Sequence, residues 1–167
     1  PKDTRALASI SAGFGIPIPL IDAAIASNEK AHKRVVDRVM QELGGSLVGK
    51  TVAVLGLTFK ANTDDTRQSP AIAVIERLVG RGAKVVAFDP IVSTYALAGL
   101  NVVDSPKTAA SEADALVVLT EWPEFGKLNP PDLLAVMRGT CVVDTRNILN
   151  KTTWQAAGAI FPDLKNP

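Results

Sequence analysis

Thr51–Leu78 reads TVAVLGLTFKANTDDTRQSPAIAVIERL, and this stretch decides the fold. It opens on a short apolar run, TVAVL, followed at once by Gly56. Such a run bounded by a glycine is the pattern of a strand covered on both faces. It closes on SPAIAVIERL, where Ser69 has the chemistry of a helix N-cap and Pro70 suits the first helical turn. A strand, a loop and a helix in that order open a doubly wound fold. The loop between them has no G-x-G-x-x-G; it carries Lys60, Asp64, Asp65 and Arg67 instead.

The pattern repeats outward. Thr51–Leu57, Lys84–Asp89, Asn101–Val103, Ala115–Thr120 and Thr140–Asp144 read as strands, most of them near-continuous apolar runs. Helical patterns fall at Pro70–Val79, Lys107–Glu112, Pro131–Met137 and a segment near Val92–Leu97. This alternation predicts an α/β fold, a Rossmann-like doubly wound parallel sheet with right-handed crossovers. By analogy with that fold the strand order is expected to be 3-2-1-4-5.

Ahead of the sheet, Asp3 or Thr4 would cap a short helix through Leu7 and Ile10, stopping near Gly13 and Gly15. Then Ile21, Ile25, Val36, Val39, Met40 and Leu43 recur at helical spacing from about Pro19 to Leu43, and Gly44 and Gly45 supply a stop. Two regions result: a helical segment over 1–44 and a Rossmann-like domain over 45–167. Asn28 and His32 lie on the long helix; His32 has no catalytic partner in the pattern and reads as a surface or interface residue.

Bulk composition narrows the function. The chain has 167 residues, 47% hydrophobic, with 18 basic and 17 acidic residues for a formal charge of +1. That balance gives no electrostatic drive toward nucleic acid or an anionic membrane. No apolar run is long enough to span a bilayer. One cysteine and one histidine make no zinc site. Cys141, alone and inside an apolar strand, reads as inert core, and a reducing, cytoplasmic setting is the simplest expectation.

In a doubly wound sheet, ligands sit off the carboxyl ends of the strands near the switch point. The charged loop emerges there. Lys60, Arg67 and the helix start together suit a diphosphate or a carboxylate. Asp64 and Asp65 oppose an anion, so they are expected to turn back onto Arg67 or the loop N–H groups; a plainly solvated loop would show the same charges. Asp89 ends the second strand, as a ribose-binding carboxylate or as a simple Asp-Pro turn. Arg146 would join Lys60 in a positive pocket. Trp122 and Phe125 would be flat apolar walls or core filler.

Four stretches carry a family resemblance: PKDT at Pro1, GKTVAVLGLTFKANTDDTRQSP, VVAFDP and VVDTRNIL. With them the chain resembles the UDP-glucose/GDP-mannose dehydrogenase family. The resemblance implies a C-terminal domain that binds a UDP-sugar, preceded by a helical segment that builds a homodimer through the helix near 20–43. It implies NAD as cofactor, held mainly by an N-terminal domain that precedes the chain. The family reaction takes a sugar C6 alcohol to a carboxylate through a cysteine thioester. By the Cys-Phe-Pro-Lys-Asp motif, that cysteine would lie two residues before Pro1, so the isolated chain is expected to be inactive. Carried over by position, Asp3 assists water or proton handling and Lys2 lies near NAD. Lys60 contacts the nucleotide sugar, Arg67 reaches toward NAD, and Arg146 serves the sugar end, of its own or a partner subunit's site. UDP-glucose is the expected substrate, with UDP-N-acetylmannosamine or GDP-mannose as alternatives, and a non-catalytic nucleotide-binding or dimerisation module as another.

Overall fold

The structure is a computed structural model that describes residues 2–164, with Lys2, Asp3 and Arg5 described by backbone alone. The side-chain roles expected of Lys2 and Asp3 therefore lie outside the described residues. Element bounds begin with two helices, α1 (Lys2–Gly13) and α2 (Pro19–Glu42), the second with Pro19 at its first turn. Gly44 and Gly45, both at φ +87, end α2 in the left-handed region where a side chain is costly.

Five strands follow: β1 (Thr51–Leu55), β2 (Lys84–Phe88), β3 (Leu100–Val103), β4 (Ala115–Val118) and β5 (Cys141–Asp144). They form one parallel sheet in the order β3-β2-β1-β4-β5, as expected. Val52 pairs with Val85 on one side and Ala115 on the other, and Ala115 pairs with Cys141, so the strand starts are aligned. Helices α3 (Pro70–Gly80), α4 (Pro106–Ala110), α5 (Pro130–Leu134) and α6 (Lys151–Ala156) complete the fold, with a 3-10 turn at Phe125–Lys127.

Alternation along the strands sends side chains to two separate cores. Val52, Val54, Val85, Val117 and Val143 pack with Ile72, Ile75 and Leu78 of α3 and with Val36 and Val39 of α2. Ala53, Leu55, Leu116, Val118 and Val142 pack on the other face with Trp122, Phe125, Leu133 and Trp154. The second half of α2 thus covers the sheet's α3 face. Ion pairs Glu29–Arg77 and Asp37–Arg81 tie α2 to α3 at the rim of that contact.

One expectation fails. Residues near Val92–Leu97 are not helical. Val92, Tyr95 and Leu97 still pack against the α3-side core, which is the apolar pattern the sequence showed. The segment is β-branched at Val92 and Thr94, and the Asp89 carboxylate closes a local turn on the Ile91 and Val92 N–H groups, each at 3.1 Å, that does not run on into a helix. Helix α6 was not anticipated; Asn150 caps it by accepting from the Thr153 N–H at 3.1 Å, and Trp154 fills the second core at 2% exposure.

Candidate functional site at the carboxyl ends of the strands

The strand order switches sides of β1 at β4, and the loops that leave these two parallel strands are in contact. A Cβ built on Gly56, at φ +95, would lie 2.4 Å from the Thr120 Cβ. Only glycine allows that approach. Thr120 Oγ1 then donates to the Thr58 carbonyl at 2.8 Å, tying the β4 exit to the β1 exit. Further along, Thr145 Oγ1 donates to the Val118 carbonyl at 2.7 Å, tying the β5 exit to β4.

Asp89 fastens the same rim from the β2 side. It is 4% exposed. Its Oδ2 accepts from Leu57 N at 2.8 Å, from Thr58 N and Oγ1 at 3.2 Å, and from Trp122 Nε1 at 3.3 Å. With Ile91 N and Val92 N on Oδ1, the carboxylate is saturated. Of the two expected roles, the turn is present and the ribose-binding one is not: the oxygens point inward and are occupied. Trp122 at 5% and Phe125 at 0% exposure are core residues rather than walls of a site.

These facts also test whether NAD fits this sheet in the usual dinucleotide position. It does not. The β1 exit is closed by Thr120 against Gly56, so backbone cannot cradle a pyrophosphate there, and the carboxylate at the end of β2 is spent on protein donors.

The cations differ in their surroundings. Lys60 is exposed, and among the described residues it has no hydrogen-bond or ion-pair partner. Its loop is closed behind it: Phe59 N donates to the Asp65 carbonyl at 2.8 Å. Arg67 is exposed and forked onto Asp65, with Nε–Oδ1 and Nη2–Oδ2 both at 2.9 Å. The hydrogen bond and charge of Asp65 raise the Arg67 pKa above its ordinary value, so it is a permanent cation. Asp65 therefore turns back as expected. Arg67 lines a cleft of about 380 Å³ between α2 and α3, together with Asn28, His32, Ser69, Glu76 and Tyr95. This cleft was not anticipated; His32 belongs to it, a placement that needs the α2–α3 packing to be known.

Arg146 is held by its Nε, which donates to the Leu119 carbonyl at 2.7 Å and lies 3.4 Å from a Glu121 carboxylate oxygen. Among the described residues its two terminal nitrogens have no hydrogen-bond partner. Lys60 and Arg146 thus stand on the β1 and β5 loops with the β4 exit between them, and neither lines the α2–α3 cleft. Cys141 is buried within β5; burial, and secondarily Glu42, push its thiol up to about 12. It is no nucleophile at neutral pH. Among the described residues no group of three or more His, Cys, Asp or Glu is gathered to hold a metal, and no helix is long and apolar enough to cross a membrane.

A doubly wound sheet with a cationic loop in place of a glycine-rich one defines an α/β class without the usual dinucleotide crevice. The chain belongs to the UDP-glucose/GDP-mannose dehydrogenase family: the model of that family's UDP binding domain matches residues 53–151. The chain is similar to the UDP-glucose 6-dehydrogenase of Rhizobium meliloti (strain 1021), 39% identical over all of this chain and 39% of the relative. It is 37% identical to UDP-glucose 6-dehydrogenase TuaD of Bacillus subtilis (strain 168), over 37% of that protein. Among solved structures, a UDP-glucose dehydrogenase from Pyrobaculum islandicum superposes with a TM-score of 0.79 at 28% identity, covering 98% of this chain and 36% of the other. The chain thus spans well under half the length of the relatives it matches.

Proposed function

We propose that this chain is the nucleotide-sugar-binding part of a UDP-glucose 6-dehydrogenase, acting in the NAD-dependent, two-step oxidation of UDP-glucose to UDP-glucuronate. The observation that carries the reading is Lys60. It is an exposed cation, without a protein partner among the described residues, at the carboxyl end of β1 beside the switch point. That is where a doubly wound sheet presents ligands, and a lone ammonium there suits a diphosphate.

The remaining roles follow from the same reading. Arg146, anchored through Nε, offers its outer fork to the sugar end of the ligand, in its own or a partner subunit's site. Arg67 reaches across the α2–α3 cleft toward NAD held by another domain, which agrees with the poor fit of NAD to this sheet. Lys2 lies near that NAD, and Asp3 assists water or proton handling. The thioester-forming cysteine belongs to a segment outside this chain, since Cys141 is buried and protonated. A homodimer forms through the helix near 20–43; Leu20 near its start is 84% exposed, an apolar side chain that suits a second copy. One buried cysteine accords with a cytoplasmic enzyme.

Calorimetric titration of the chain with UDP and GDP tests the proposal. UDP is expected to bind more tightly; preference for GDP rejects the UDP assignment, and no binding of either rejects the nucleotide reading. The same preparation with UDP-glucose and NAD is expected to yield no NADH, and turnover would refute the assignment of chemistry to another segment. Light scattering at high concentration is expected to give a dimer; a strict monomer removes the α2 interface.

A further inference from the structure

We propose that Asp89 and Trp122 form a positioning node that sets the cationic loop, resting on the reading of Lys60 as a nucleotide ligand. Neither residue touches the ligand; each acts through the backbone of the β1 exit.

The path is continuous in hydrogen bonds. Trp122 Nε1 and Asp89 Oδ2 meet at 3.3 Å in the buried space between the β2 and β4 exits. The same oxygen holds Leu57 N at 2.8 Å and Thr58 N and Oγ1 at 3.2 Å. Thr58 is held from the other side by Thr120 Oγ1 on its carbonyl at 2.8 Å. The peptide groups before Phe59 are therefore fixed by β2 and β4 at once. Phe59 N next closes on the Asp65 carbonyl, and the Asp65 carboxylate takes both Arg67 N and the Arg67 guanidinium. Lys60 sits inside this closure and Arg67 at its end. A buried carboxylate with every lone pair used is costly to place and is retained where it specifies geometry. Its neighbours in sequence, Phe88 and Pro90, need no such group; what needs it is a loop with no regular structure of its own from Gly56 to Ser69.

The node makes different demands from those of a fold-stabilising group. Trp122 also fills the second core, so Trp122→Phe removes the indole donor while keeping an aromatic ring there, and the Trp154 indole signal reports whether that core is kept. Its loss should instead be read at Phe59, Lys60 and Arg67.

The test uses the full chain, Trp122→Phe and Asp89→Asn, with Lys60→Ala as reference and UDP as probe. In proton–nitrogen spectra, Trp122→Phe is expected to shift the Leu57, Thr58 and Lys60 amides and to speed exchange of the Phe59 N–H about tenfold, while the Trp154 indole signal stays in place. UDP affinity is expected to fall about three- to tenfold, the worth of one hydrogen bond. In the Lys60→Ala background the same change is expected to add less than twofold, because the node acts through Lys60. Asp89→Asn is expected to give the same pattern, more strongly. If both node variants keep parental Phe59 exchange and UDP affinity while Lys60→Ala weakens UDP, the positioning role is overturned and the nucleotide reading stands. If additive losses appear in the Lys60→Ala background, the node acts by another route and the proposal is likewise overturned. If the parent chain itself fails to bind UDP, the reading beneath the proposal falls first, and the proposal with it.

Discussion

Gly56 and Thr120 sit so close that a methyl group on Gly56 would lie 2.4 Å from the Thr120 Cβ and 2.8 Å from its backbone nitrogen. The contact joins the exits of the two central strands. Gly56→Ala is expected to destabilise the fold by about 2–4 kcal/mol, combining overpacking with the left-handed backbone. Urea denaturation measures it. A loss below about 0.5 kcal/mol would mean the two exits separate easily, contrary to the hydrogen bonds that cross there.

Ser69 begins α3 and is 1% exposed, with its Oγ accepting from Ala71 N at 3.1 Å. Ser69→Ala is expected to cost about 1 kcal/mol, and Ser69→Gly less. Chemical denaturation of the two variants side by side checks the order. Pro70 already presets the first helical turn, so the helix itself should persist in circular dichroism.

The Arg67–Asp65 fork is bidentate but lies in solvent, with the arginine side chain 80% exposed. Asp65→Asn is expected to leave the melting temperature nearly unchanged, at low and high salt alike, because exposed pairs are weak and screened. The loop closure uses the Asp65 backbone carbonyl, not its carboxylate, and so survives the change. Thermal melts at two salt concentrations decide it.

Cys141 gives the fold a dependence on alkaline pH. Its folded pKa, pushed up to about 12 by burial first and Glu42 second, lies above the value near 8.5 expected of an unfolded thiol. The folded state thus holds the proton more tightly. The contribution of the neutral thiol is full below the unfolded pKa and is lost as pH rises toward the folded one. Between about pH 9 and 11 stability should fall by up to about 1.4 kcal/mol per pH unit, a slope that Cys141→Ala should lack. At pH 8 a thiol reagent should leave the folded chain unmodified and label it once in urea.

Strand positions were legible because most strands are apolar runs with a turn residue at the end, as parallel strands covered on both faces require, whereas the sheet order followed by analogy with the doubly wound fold. Helix α3 was legible from Ser69 and Pro70. The segment from Val92 to Leu97 misled because its apolar residues face the core from irregular backbone, and periodicity alone cannot separate the two. Within the site, the Asp65–Arg67 pairing was legible because it is local, two residues apart. The Asp89 node was not, since its partners Leu57 and Trp122 lie 32 and 33 residues away and meet only once three strands are in place. Nothing in the sequence separated Lys60, exposed and without a partner among the described residues, from Arg146, whose Nε is tied to the neighbouring exit.

Val36 and Val39, 1% and 0% exposed, pack against the α3 side of the sheet, so the far half of α2 serves as that layer's roof. Expression boundaries drawn at the double glycine would strip this roof and leave a greasy wound across α3. Truncations meant to isolate the sheet domain should therefore begin ahead of Glu29, whose ion pair with Arg77 marks where the roof starts.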